Sequence, residues 1–398
     1  MAPQTAVVLA GGEGQRLRPL TRNRPKPMLP AANRPIIEYV LDAIIEAGIS
    51  DIHLVVGYKR QRVQSHFGPT YQNADLTYHT QEKQLGSGHA LLQARDEIDE
   101  PFVAINGDQI ADPALITDVL DAHDRNEPAA TLSVVDSGKA AQYGVVTLEA
   151  GHVTHLREQP RDDSTGALNA GIYAFTPGIF EVLDTLPRPS GMLSLTAAIS
   201  HLAEETEQTV QGVKSDGFWI DATFPWDLLA VARQVYTMEW INEPAVDSHV
   251  WVAESATVHP SATLKGPVVV GPDAEIGAGA VVGPAATIGG NATVGANAVL
   301  TNALIDDGSR VGANATVVDA IFGQDVVFGP NSVIAGGEHD VRIDTQVYPN
   351  HELGAVIADR SQLGGGTTVC GGVLIGSGVQ VQDGERIETN VADGVELR

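Results

Sequence analysis

The second half of the chain repeats itself every six residues. Val258, Leu264, Val270, Ile276, Val282, Ile288, Val294 and Leu300 follow one another at that interval, and Gly271, Gly277, Gly283, Gly289 and Gly295 each come directly after an aliphatic. A second frame runs through Ile305, Val311 and Val317, and a third through Phe322, Phe328 and Ile334. The last passes through Ile357, Leu363, Val369, Ile375, Val381 and Ile387. A helix repeats every 3.6 residues and a strand every two, so neither accounts for this spacing. A solenoid does, if each side of a triangular coil takes one hexapeptide and points its aliphatic residue inward. At about 18 residues per coil this predicts roughly seven to eight stacked coils. A disordered glycine-rich tail would have no use for such strict aliphatic spacing.

The pattern resembles the left-handed parallel β-helix of hexapeptide-repeat proteins. It is broken at 338–354, where His339, Asp340, Arg342 and His351 crowd together, and a loop projecting from a corner is expected there. Upstream, Leu228 to Asn242 reads as a linking helix that stops before Pro244.

Residues 5 to 235 alternate strand-like and helix-like segments. Strands are expected at Thr5–Leu9, Ile52–Val56, Leu76–His79 and Phe102–Asn106. Helices are expected at Ile36–Ala47, closed by Gly48, and at His89–Glu97. Such alternation implies an α/β domain with a mostly parallel sheet, whose ligands lie beyond the carboxyl ends of the strands. Gly11-Gly12 and Asp108 both fall at such ends.

Leu9 to Pro30, LAGGEGQRLRPLTRNRPKPMLP, joins Gly11, Gly12 and Gly14 to five cations, Arg16, Arg18, Arg22, Arg24 and Lys26. Glycines let backbone amides approach an anion, and fixed cations neutralise it, so the stretch invites a polyphosphate. Its four prolines argue against helix. The spacing matches neither the dinucleotide fingerprint nor the P-loop.

This stretch closely resembles the signature of the sugar-1-phosphate nucleotidylyltransferases, and the likeness extends across the α/β half. The resemblance implies an α/β Rossmann-like nucleotidyltransferase domain over 1–235, a linker helix over 236–250 and the β-helix over 251–398. It also implies that Leu9, Ala10, Gly11 and Gly12 wrap a nucleoside triphosphate, that Arg16 contacts its phosphates, and that Lys26 stabilises the reacting phosphate. Asp108, after Asn106-Gly107, and Asp221, in Phe218-Trp219-Ile220-Asp221, resemble the pair that holds Mg²⁺, a hard ion suited to carboxylate and phosphate oxygens.

Gln81 to Ala90, QEKQLGSGHA, resembles the base-recognition loop of N-acetylglucosamine-1-phosphate uridylyltransferases, which marks Gln81, Gly86 and Ser87 as nucleotide contacts. An amide with backbone groups satisfies the imide edge that uracil and thymine share, so UTP and dTTP both remain open. Gly144, Glu158 and Asn169 stand in the order of the family's sugar-contacting residues. One departure is Glu158-Gln159-Pro160 in place of Glu-Lys-Pro. The missing lysine would hold the sugar phosphate, and Arg157, Arg161 and Lys214 are candidate substitutes. The expected products are a UDP- or dTDP-sugar, foremost UDP-N-acetylglucosamine or UDP-glucose, and pyrophosphate. In bifunctional relatives the β-helix also acetylates glucosamine 1-phosphate with a histidine base, but 317–328 contains no histidine. His339 and His351 are the remaining candidates. Relatives with this solenoid commonly form trimers, so a homotrimer or higher homo-oligomer is expected.

Fifty acidic residues face 24 basic ones, six of them lysine, for a net charge of -26. Nucleic acid is an unsuitable partner for such a surface. Acidic, lysine-poor surfaces suit high salt, which screens self-repulsion, and a halophilic source is expected. The single cysteine, Cys370, rules out an intramolecular disulfide. No stretch resembles a signal peptide or a membrane span, so a cytoplasmic protein is expected.

Overall fold

A computed structural model describes residues 3–126, 128–136, 144–158 and 167–398, apart from the side chains of Glu158 and Ser190. Tyr143, Gln159, Pro160 and Arg161 lie outside the described residues. The chain forms two compact units. The first gathers 1–13, 25–28 and 36–221; the second gathers 14–24, 29–35 and 222–398.

Among the described residues the first unit is built on one ten-stranded sheet. Its parallel part comprises β1 (Thr5–Ala10), β2 (Asp51–Val56), β4 (Ala74–Thr80) and β5 (Phe102–Asn106), in the order β5-β1-β2-β4, and β3 (Thr70–Tyr71) closes that edge. The expected strands are thus present: Phe102–Asn106 as expected, the first two one residue longer, and the strand at Leu76–His79 three residues longer. Helix α1 (Ile36–Glu46) buries Ile36, Ile37, Tyr39, Val40, Leu41, Ala43 and Ile44. It ends before Gly48, whose φ of +91° suits a residue without Cβ. The expected helix at 89–97 divides into a short α-helix, Ser87–Leu91, and a 3-10 segment, Leu92–Glu97.

Beyond β5 the sheet becomes mixed. A two-stranded side sheet follows β5, pairing β6 (Gln109–Ala111) with β12 (Trp219–Asp221). The main sheet continues with β7 (Ala130–Asp136), β8 (Gly144–Glu149), β9 (His152–Glu158), β10 (Ala167–Phe175) and β11 (Val210–Lys214). β10 runs antiparallel to both β5 and β7, which departs from the parallel expectation. A parallel connection needs a crossover of a dozen residues or more, whereas antiparallel neighbours need only a turn.

The second unit is a parallel β-helix. Val250 pairs with Val268, Val268 with Ala286, Ala286 with Ala303, and Ala303 with Ala320, so successive coils stack in register. One face carries eight strands among the described residues, from Thr257–Val258 to Glu396–Leu397. The periodic aliphatics from Val270 to Ile387 lie in a single buried cluster, and alanines such as Ala274, Ala280 and Ala292 fill the space beside them. Asp273, Asn291, Asn297, Asn314, Asp325 and Asn331 turn corners at φ between 52° and 57°, a left-handed conformation that Asn and Asp tolerate better than other side chains.

Residues 338–354 are not an irregular loop. Glu338–Ile343 and Gln346–Glu352 pair as an antiparallel hairpin, and alternate residues in that run have the strand period that six-residue counting concealed. The helix ahead of the solenoid occupies Pro225–Met238, starting three and ending four residues earlier than Leu228–Asn242. The linker helix expected over 236–250 is not formed: past Met238 the chain leaves the helix and enters the strand Ala245–Asp247. Asp227 accepts from the Thr223 and Phe224 amides and fixes the start of the helix. Among the described residues no helix is long and apolar enough to cross a membrane.

Candidate functional site

Leu9 and Ala10 end β1, and Asn106, the register partner of Leu9, ends β5. The Gly107 amide donates to the Leu9 carbonyl at 3.0 Å, so Gly11 and Asp108 leave adjacent strand ends. The side sheet adds the second carboxylate by setting Asp221 opposite Gln109, the residue after Asp108. Lys26 arrives on a 3-10 turn, Lys26–Met28, in the same unit.

These elements converge on one ion-paired cluster. Lys26 Nζ lies 2.7 Å from Asp221 Oδ1 and 2.8 Å from Asp108 Oδ2. Burial alone would push the Lys26 pKa down, but Asp108 and Asp221 outweigh it and raise it above the ordinary lysine value. The ammonium is therefore a fixed positive charge. It stands between two carboxylates whose oxygens are the donors a hard divalent cation prefers, so these residues fit Mg²⁺ on donor chemistry.

Gln81 is 4% exposed. Its Nε2 donates to the Gly86 carbonyl at 3.1 Å and to His89 Nδ1 at 3.0 Å. Burial, then Arg188, lowers the His89 pKa, consistent with a neutral ring accepting that bond. Gln81 Oε1 faces Gly11, where an added Cβ would come within 2.6 Å of it. Gln81 thus bonds Gly86 and stands against Gly11. Ser87 Oγ accepts from the Leu195 amide at 3.0 Å, an internal contact.

The three sugar-side candidates lie together on neighbouring strands. Gly144 is opposite Glu158, and a Cβ on Gly144 would sit 3.7 Å from that of Asn169. Asn169 donates to the Tyr173 hydroxyl at 2.8 Å and accepts from the Gly171 amide at 3.1 Å. Of the candidate lysine substitutes, Lys214 pairs with Asp136 at 3.1 Å.

Sequence reasoning missed Trp219 and Gln109. The indole Nε1 of Trp219 donates to the Ala170 carbonyl at 2.9 Å and to Gln109 Oε1 at 3.2 Å, linking the carboxylate cluster to the Asn169 segment. Trp219 precedes Asp221 by two residues, so strand alternation was the available signal.

The cations of the opening stretch separate between the two units. Arg24 is buried in the second, bound to Asp306 and 3.2 Å from Asp359. Arg22 pairs with Asp393 at 3.2 Å. Carboxylates of the solenoid thus hold both, Arg24 in a buried group and Arg22 at the surface. Arg16, also in the second unit, rests its guanidinium over the Phe224 ring, 5.7 Å from the centroid.

A Rossmann-like α/β unit with a lysine–dicarboxylate cluster at its strand ends, followed by a β-helix, defines a nucleotide-handling enzyme architecture. Residues 5–237 match the family described as nucleotidyl transferase, and residues 264–392 match the GMPPB C-terminal domain. The bifunctional protein GlmU of Methanococcus maripaludis is 32% identical over 393 residues, covering 94% of this chain and 92% of its own. The UTP–glucose-1-phosphate uridylyltransferase AglF of Haloferax volcanii is 35% identical over 226 residues, 56% of this chain and 92% of its own. Among solved structures, UDP-glucose pyrophosphorylase from Acinetobacter baumanii superposes with a TM-score of 0.54 at 21% identity, covering 59% of this chain and 94% of its own, a likeness of fold alone. The chain belongs to the nucleotidyl transferase family, as a sugar-1-phosphate nucleotidyltransferase that makes nucleotide sugars.

Proposed function

We propose that the enzyme joins UTP or dTTP to a sugar 1-phosphate, foremost N-acetylglucosamine 1-phosphate or glucose 1-phosphate. The observation that carries this reading is the Lys26 ammonium held between Asp108 and Asp221. A sugar-phosphate oxygen attacks the α-phosphorus in line, the new P–O bond forms as the bond to the β-phosphate bridge breaks, and pyrophosphate leaves. No side-chain nucleophile is needed, because positioning and charge neutralisation supply the rate. Asp108 and Asp221 would hold Mg²⁺, which neutralises phosphate oxygens when bound. Lys26 supplies a permanent charge to the reacting phosphate, and the Gly11 and Gly12 amides receive the nucleotide with Leu9 and Ala10. Arg16 is assigned to the nucleotide phosphates, Gln81, Gly86 and Ser87 to the base side, and Gly144, Glu158 and Asn169 to the sugar.

Pyrophosphate release over UTP, dTTP and the purine triphosphates, each with glucose, N-acetylglucosamine and glucosamine 1-phosphates, tests the proposal. A pyrimidine nucleotide with one of these sugars is the expected best pair, and preference for a purine would overturn the base assignment. Asp108→Ala should abolish release while the fold survives.

A second activity, acetyl transfer on the β-helix, is favoured by the name of the Methanococcus relative, a bifunctional protein. Against it, the His351 ring stacks on Trp226 at 3.9 Å, and His339 Nε2 lies 3.3 Å from the Gly336 carbonyl. CoA release from acetyl-CoA and glucosamine 1-phosphate would establish it. We assign the solenoid instead to assembly of a homotrimer or higher homo-oligomer, checked by light scattering.

A further inference from the structure

Two histidines of the α/β unit face each other and have no task in nucleotidyl transfer. β2 and β4 run parallel with Val55 opposite His79 and His53 opposite Thr77, so the two imidazoles share a face of the sheet as diagonal neighbours. Their rings lie within 7° of parallel, with His53 Nδ1 2.8 Å from His79 Nε2. They are 4% and 9% exposed, on a face otherwise lined by Val7, Val55, Leu91 and Ala94. Glu97, at the end of the 3-10 segment over that face, brings a carboxylate oxygen so that all three ligand atoms lie within 4.8 Å of one another.

The protons point to a cation. Burial, then His53, lowers the His79 pKa, so its ring is neutral, and the nitrogen that meets the Gln93 backbone is the one that donates. The Nε2 that faces His53 then carries a lone pair. If His53 Nδ1–H donates to it, His53 Nε2 becomes a bare acceptor 3.5 Å from Asp51 Oδ1, facing a carboxylate. A metal ion in place of the shared proton removes the conflict. Both facing nitrogens then give lone pairs to the ion, and His53 Nε2–H turns to Asp51, the carboxylate–histidine–metal arrangement that orients imidazole ligands.

We propose that His53, His79 and Glu97 bind a divalent transition-metal ion, Zn²⁺ in the first place, with Asp51 as the positioning residue for His53. Two imidazoles and a carboxylate suit zinc and its neighbours, whereas Mg²⁺ prefers oxygen alone. Nitrogens on a tetrahedral zinc stand about 3.3 Å apart, so the rings need to open by only about half an ångström. Three protein ligands leave a fourth position for water. His79 precedes Gln81 by two residues, so the ion fixes the strand end from which the Gln81 loop departs.

Chelator-stripped full-length protein, titrated with zinc chloride by calorimetry and with cobalt(II) by absorbance, tests the site. One ion per chain, the visible bands of tetrahedral cobalt, and a Tm rise that saturates at one equivalent and persists in excess Mg²⁺ are expected. His79→Gln should abolish binding. Glu97→Gln, at an exposed position that leaves the fold alone, should weaken it. Asp51→Asn should reduce affinity by about 10–100-fold. Asp108→Asn should bind zinc as the wild type does, which separates this site from the phosphate cluster. Absence of stoichiometric binding, an affinity that survives His79→Gln, or one lost in Asp108→Asn would overturn the proposal.

Discussion

Lys26 Nζ and Asp221 Oδ1, 195 positions apart in the chain, lie 2.7 Å from each other. With Asp108 at 2.8 Å, the buried ammonium keeps two carboxylates together. Lys26→Met should lower kcat by about 10²–10³-fold, the usual effect of losing one fixed donor to developing charge. It should also mark a pH window. Burial lowers the Lys26 pKa, but the two carboxylates more than reverse this, so the folded value exceeds the ordinary 10.5. A raised cation pKa contributes its stability in full below the unfolded value and loses it as pH rises through the folded value. The Tm difference between wild type and Lys26→Met should therefore hold steady up to about pH 10.5 and narrow above it. A difference that already narrows between about pH 7 and pH 9 would contradict the assignment.

Arg24 is a structural charge. Burial lowers its pKa, but Asp306 and Asp359 outweigh that and raise it. Removing one member of a buried ionic group leaves the others uncompensated. Arg24→Met should therefore cost about 3–5 kcal/mol, measured by denaturant unfolding. Replacing Arg24, Asp306 and Asp359 together by apolar residues should recover much of the loss. A loss confined to activity would instead return Arg24 to the phosphate site.

That arginine shows where the sequence stops being legible. The six-residue period exposed the large inward residues of the solenoid from Val270 to Ile387, because an apolar interior repeats coil after coil, but not the small ones beside them, such as Ala274 and the buried Ser309. Asp108 and Asp221 could be singled out because Asp108 follows β5 in Asn106-Gly107-Asp108 and Asp221 ends β12 in Phe218-Trp219-Ile220-Asp221, and the fold brings both to Lys26. The cation run was misleading as a group: charge density along a chain does not reveal which side chain meets which carboxylate, and Arg22 and Arg24 pair with acids more than 280 positions away. Trp219 and Gln109 were silent for a related reason, since their importance comes from the pairing of β6 with β12.

Gly86 has φ of +100°, and an added Cβ would come within 2.3 Å of the Leu193 carbonyl oxygen. The backbone there is held by Leu85 and Gly88 hydrogen bonds to Leu193, so it cannot yield cheaply. Gly86→Ala should cost about 1–3 kcal/mol in stability. Because Gln81 donates to the Gly86 carbonyl, the same change should raise the KM for the nucleotide more than the KM for the sugar phosphate. Equal changes in both would detach this loop from base recognition.

A net charge of -26 makes the fold sensitive to ionic strength. The screening length falls from about 10 Å at 0.1 M salt to about 3 Å at 1 M, which removes most repulsion between exposed acids. Circular dichroism should show Tm rising steeply across that range and folded signal lost on dialysis to low salt. A Tm indifferent to salt would refute a high-salt adaptation.

Arg16 is supported by a run of rings. Phe224 beneath it stacks on Trp226 at 4.8 Å, Trp226 stacks on His351 at 3.9 Å, and Tyr348 closes on Phe224 at 4.7 Å. The hairpin of the solenoid thus supports the ring on which Arg16 rests. A cation over an aromatic face at an exposed site is worth about 0.5–1 kcal/mol. Phe224→Leu keeps the apolar bulk and removes the face, so the KM for the nucleotide should rise about two- to fivefold with kcat nearly unchanged, the signature of lost ground-state binding. His351→Ala, at the far end of the stack, should give a smaller shift in the same direction. If Phe224→Leu left the nucleotide KM untouched, Arg16 would owe nothing to the ring beneath it.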